Sequence, residues 1–116
     1  MSGWNPTRPQ TVTAKETPQA ADRIHVPGIS ASEYLEIMFV IRNEGPDTVH
    51  LTWGREDAGI PDPLPSLVVP APSGSGPEFV QFGPFSSQQQ YWYVTKTGAD
   101  QNVVVDVYTR HSFRRR

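Results

Sequence analysis

The chain has 116 residues, no cysteine and a formal net charge of −2, which fits one domain and excludes disulfide scaffolds, thiol redox chemistry and cysteine-ligated zinc. Proline is the outlier: its 12 residues are roughly twice the ~5% share of average proteins, and each one removes a backbone donor and blocks helix propagation. Hydrophobic residues at 36% and charged residues at 19% fall below the roughly 45–50% and 25% of ordinary soluble domains, so the sequence predicts a modest core under an uncharged polar surface.

Residues 1–30 read as an extended arm, because Pro6, Pro9, Pro18 and Pro27 interrupt each window in which a regular element could propagate. Trp4 has no local core there, so it docks either on its own domain or in a neighbour's pocket. Residues 24–26 are a candidate short edge strand before the Pro27-Gly28 turn.

The run EYLEIMFVIR at 33–42 is the most apolar part of the chain, and its β-branched and aromatic centre favours a strand. The competing reading is a helix starting at a Ser30-x-x-Glu33 capping box. With NEGPD at 43–47 as the turn, a hairpin to a second strand over 48–53 follows, setting Ile41 opposite Val49, Phe39 opposite Leu51 and Ile37 opposite Trp53. Residues 54–77 form a proline-rich loop with room for one short strand at 66–69. A strand over 78–85 follows, with a bulge at Gly83-Pro84.

The last hairpin predicted joins 90–97 to 102–109 through GADQ. It places Trp92 opposite Val107 and Val94 opposite Val105 on a core face, with Tyr91 against Tyr108 and Tyr93 against Asp106 on the outer face. Six to eight strands with proline-rich connections give an all-β fold, a small antiparallel β-sandwich, immunoglobulin-like or jelly-roll-like, over residues 31–110. Residues 111–116 remain as a basic tail.

The functional candidates follow from this layout. Tyr91, Tyr93 and Tyr108 form an outward aromatic cluster, and with Trp4 they are the expected partner-binding residues, since tyrosine buries large area at little entropic cost. Residues 31–108 hold ten acidic and three basic groups, whereas 109–116 hold four arginines and no acid. Arg110, Arg114, Arg115 and Arg116 are therefore candidates for weak, salt-sensitive contact with nucleic acid or an acidic partner. His25, His50 and His111 lack metal-ligand spacing, and Glu56, Asp57 and Asp62 lack the alternation of a calcium loop, so no metal and no other cofactor is expected. No nucleophile elbow or phosphate-binding glycine loop is present, and no enzymatic activity is expected.

At the level of architecture alone, a cysteine-free β-sandwich with a proline-rich arm and a basic tail resembles the accessory structural proteins of viral particles, such as capsid decoration and minor capsid proteins. The resemblance implies a non-enzymatic assembly protein whose partners are further copies of itself or a major capsid-like protein. The alternative is a carbohydrate-binding or adhesion module that stacks sugars on surface Tyr or Trp. No run approaches the ~20 apolar residues of a membrane span, and the first 30 residues lack a signal peptide's apolar core. The expected location is a virion, or the cytoplasm if the source is not viral, with no membrane partner.

Overall fold

The computed structural model describes residues 4–26, 35–54, 66–74, 76–86 and 91–111. Eight strands occur in it: β1 (Asn5–Pro6), β2 (Gln10–Ala14), β3 (Leu35–Asn43), β4 (Val49–Gly54), β5 (Ser66–Val69), β6 (Glu78–Ser86), β7 (Tyr91–Thr95) and β8 (Gln101–His111). The helical structure among the described residues is one 3-10 turn, Ala20–Asp22. The strands form two antiparallel sheets. The larger runs β1-β8-β3-β6, with β2 also on β8, and the smaller runs β5-β4-β7.

Strict alternation of buried and less buried residues along β3 and β8 follows from the period-2 pleat, which sends successive side chains to opposite faces. Ile37, Phe39 and Ile41 of β3 and Val103, Val105 and Val107 of β8 face inward and meet Val49, Leu51, Trp92 and Val94 from the smaller sheet in one buried cluster. Burial of each such side chain stabilises the fold by about 1.5–3 kcal/mol. The fold is thus a small antiparallel β-sandwich. Phe39, Phe85, Trp53 and Trp92 add an aromatic knot, with Trp92 centred 4.9 Å from Phe39, 5.0 Å from Phe85 and 5.1 Å from Trp53, tilted arrangements that suit ring quadrupoles.

Neither predicted hairpin forms. β3 pairs with β6 and β8, with Ile41 opposite Val80 and Val105 and Phe39 opposite Phe82 and Val107, and β4 pairs with β5 and β7. β7 likewise pairs with β4, setting Trp92 opposite Trp53 and Tyr93 opposite Thr52, while β8 lies in the other sheet. The connections after β3 and after β7 are therefore arches that carry the chain across the sandwich. Alternation is the same for a hairpin and an arch, so the inward residues are those expected although their ladder neighbours are not.

A buried polar cluster ties the two arches together. Asn43, fully buried, donates from Nδ2 to the carbonyls of Asp47 at 2.9 Å and Pro70 at 3.1 Å. Its Oδ1 accepts from Gly45 N–H at 3.1 Å and Gln101 Nε2 at 2.7 Å. Gln101 Oε1 accepts from Asp47 N–H at 3.1 Å. Lys96, its side chain only 1% exposed, pairs with Asp47 at 3.2 Å and donates to the carbonyls of Thr97 and Ala99. A charge this deep is tolerated because every ammonium proton has an acceptor.

The segment expected to be an extended arm is partly built into the sheet. β1 and β2 pair with β8 through registers such as Pro6 with Tyr108 and Val12 with Val103, and Val12, Ala14 and Ile24 are buried. Proline at Pro6 is compatible with this because it stands at a strand edge. Residues 24–26 are not a strand, yet Ile24 N–H donates to Trp92 O at 2.8 Å, and Gln10 brackets His25 with two side-chain hydrogen bonds of 2.9 Å. Lys15 bridges to Thr95, so this side of the sandwich is laced shut.

The expected strand at 66–69 and the expected bulge at Gly83-Pro84 are both present. The register steps from Ile37–Phe85 to Phe39–Phe82, which places one extra residue on β6. Gly83 has φ +112°, and a Cβ there would stand 2.8 Å from Ile37 O. Gly83→Ala therefore meets both a disfavoured backbone region and a backbone clash, and it is expected to cost about 1–3 kcal/mol in a denaturant titration. Pro61, Pro63 and Pro65, the Ser30-x-x-Glu33 capping box and the Glu56, Asp57 and Asp62 group lie outside the described residues.

Candidate functional site

The side chains that β3 and β8 turn away from the core define the outer face of the five-stranded sheet. Reading across the ladder in register, one row is Thr11, Val104, Arg42 and Phe79. The next is Asp106, Val40 and Gln81, and the third is Pro6, Tyr108 and Met38. At the far end Arg110 and Glu36 stand side by side. The strip is mostly uncharged and half-buried by its own neighbours, while Phe79 at its β6 edge is 58% exposed. The other large hydrophobic side chain left open among the described residues is Val68 of β5, 53% exposed.

Charges frame this face. Arg110 Nε holds Glu36 Oε1 at 2.6 Å, and its guanidinium lies 4.5 Å from the centroid of the Trp4 ring. Arg42 reaches Glu44 at 3.1 Å and stands 5.8 Å from the Phe79 ring. Asp106, in the middle row, has no ion-pair or hydrogen-bond partner among the described residues.

The aromatic cluster expected from sequence does not assemble. Tyr91 and Tyr93 are on β7 in the smaller sheet and Tyr108 is on β8 in the larger one. Tyr93 is 0% exposed, so it offers no surface to a partner although it alternates with the inward Trp92 and Val94. Tyr91 is half-buried with the Arg23 guanidinium 4.7 Å over its ring. Trp92 is buried and Trp53 half-buried in the aromatic knot, so no ring of that knot stands as an open platform for a sugar. Trp4 docks on its own domain, over Arg110. Tyr108 keeps the expected outward placement.

Of the four arginines, Arg110 is engaged by Glu36 and Trp4, and Arg114, Arg115 and Arg116 lie outside the described residues. Among the described residues no group of three or more His, Cys, Asp or Glu side chains converges as a metal site would require, and no helix is long and apolar enough to cross a membrane. Sequence reasoning missed Met38, Val40 and Val104 as members of one surface with Tyr108. The signal was their shared outward parity, hidden because β3 and β8 were assigned to different partners. Comparison with known proteins finds no matching family, no matching curated protein and no matching solved structure.

Proposed function

We propose that the protein is a non-enzymatic structural protein that attaches to neighbouring protein subunits, in the manner of the accessory virion proteins its architecture resembles. The observation that carries this reading is the outer face of the five-stranded sheet. It presents Met38, Val40, Val104 and Tyr108 on rigid paired strands, bordered by exposed Phe79 and by charged groups at its ends. Apart from Asp106 its centre is apolar and its rim polar, the layout of protein interfaces, and a sheet holds such a pattern without the ordering cost a loop would add. Support also comes from the N-terminal segment: with Trp4 and Pro6 laid along β8, the arm extends this face sideways as part of the same surface.

Light scattering of the pure chain, together with fractionation of the large particles of its native source, tests the reading. The wild type is expected in assembled species, and Met38→Glu in neither fraction while its thermal melt is unchanged. A wild type that stays monomeric and is absent from every particle fraction would refute the proposal.

A further inference from the structure

Building on the assembly reading, we infer that the partner of this face is a second copy of the same chain, bound face to face about a two-fold axis. The axis lies in the interface, crosses the strands, and passes over the Phe39–Val107 pair. The inference rests on a self-complementarity written into the register.

A closed two-fold dimer requires a patch that matches itself when reversed. Phe39 and Val107 are ladder partners, so one axis across the strands reverses β3 and β8 about the same row. Met38 of one copy then falls opposite Val40 of the other, and Glu36 falls opposite Arg42. On β8, Tyr108 falls opposite Asp106. The Asp106 carboxylate, which has no partner among the described residues, thereby meets a phenolic hydroxyl, Met38 meets Val40 across the seam, and the acid at one end meets the base at the other. An axis moved by one residue would set Met38 against Met38 with Glu36 against Val40, or Val40 against Val40 with Met38 against Arg42, and one moved by two would set Glu36 against Met38 or Val40 against Arg42, so only the row of Phe39 brings the acid opposite the base.

Size agrees with charge. Four strands at ~4.8 Å spacing and the eight steps from Asn102 to Arg110 at ~3.4 Å give a planar footprint of roughly 500 Å². Its corrugated side chains carry more accessible area than the plane, approaching the ~800 Å² per partner of a standard interface. Packed sheets rotate by about 30°, which offsets the Glu36 and Arg42 positions sideways by roughly 5 Å, within the reach of these two long side chains.

The test is sedimentation velocity over a concentration series for wild type, Arg42→Glu, Glu36→Lys and an equimolar mixture of the two variants, with circular dichroism to establish that each is folded. The wild type is expected to dimerise. Each variant alone sets like charges together twice, so its dimer should weaken about tenfold or more. The mixture restores opposite charges at both positions and should regain the dimer. Val40→Asp at the seam gives a second route to the same loss if Glu36→Lys, which also loses its Arg110 contact, does not fold. Folded variants that dimerise like wild type, or a mixture that stays dissociated, would overturn the two-fold arrangement. A monomeric wild type that still joins a larger particle in a Met38-dependent way overturns this partner and leaves the assembly reading standing. Absence of any association defeats both.

Discussion

Deleting residues 1–23 is expected to unfold the protein and not merely to detach it from its partners. The deletion removes β1 and β2 and with them seven register positions along β8. It takes buried Val12 and Ala14 out of the core and strips the neighbours that cover Ile24. A fully buried valine is worth about 1.5–3 kcal/mol, and each lost ladder hydrogen bond adds about 0.5–1.5 kcal/mol net. The sum reaches several kcal/mol, a large part of the roughly 5–15 kcal/mol that holds a typical domain together. It also bares one side of β8, the strand at the centre of the larger sheet, and open edges of that kind recruit other chains. Far-ultraviolet circular dichroism should show loss of the native β spectrum or a melt lowered by tens of degrees, with aggregation. A truncated chain that melts like wild type would show that the N-terminal strands are an appendage.

The second large effect is expected at Asn43→Ala. The substitution removes one acceptor and two donors at a fully buried side chain, takes their Asn43 partner from Gly45 N–H and the Pro70 carbonyl, and leaves Gln101 Nε2 with the Asp47 carbonyl alone. Each buried group left unsatisfied costs about 1–3 kcal/mol, so a loss of about 3 kcal/mol or more is expected. With a urea m-value of ~1–3 kcal/mol/M, the midpoint should fall by roughly 1–3 M while m stays constant. Glu44→Ala is the contrast. It breaks an ion pair whose members are 39% and 56% exposed, and such surface pairs contribute little. If both variants shift the midpoint equally, the polar cluster is not what fixes the arches.

How much of this was legible in the residues depends on which physical signal each feature leaves. Alternation in IMFVI and in VVVDV identifies Ile37, Phe39, Ile41, Val103, Val105 and Val107 as inward, because parity is a property of one strand alone. Pairing is a property of two strands, and NEGPD and GADQ carry turn chemistry that serves an arch as well as a hairpin. That ambiguity undid both hairpins and, with them, the Tyr91, Tyr93 and Tyr108 cluster. Gly83-Pro84 announced its bulge directly, since that dipeptide cannot continue a regular ladder. Asn43, Lys96 and Gln101 gave no sign of burial: their residue types suit exposed turns, and only the crossing of two arches at one end of the sandwich encloses them. The proline-rich N-terminal segment misled in part for a related reason. Pro6 and Pro9 exclude a central strand but not an edge one, and Gln10–Ala14 lies beyond the prolines that seemed to forbid it.

The two arches also set the order in which this protein comes into being. Since consecutive strands in the arched pairs leave for opposite sheets, the early, local pairing open to a growing chain is largely confined to β4 with β5. β3 finds its first ladder partner only in β6, β4 is flanked on its second side only by β7, and Val12 waits for Val103. Pairings so far apart in sequence are slow to close, because loop entropy is spent before the contacts return it. An N-terminal fragment ending after β6 would hold neither sheet complete, with β3 lacking β8 and β4 lacking β7. The larger sheet is therefore complete only once β8 has been made, because β1, β2 and β3 all take a ladder from that strand.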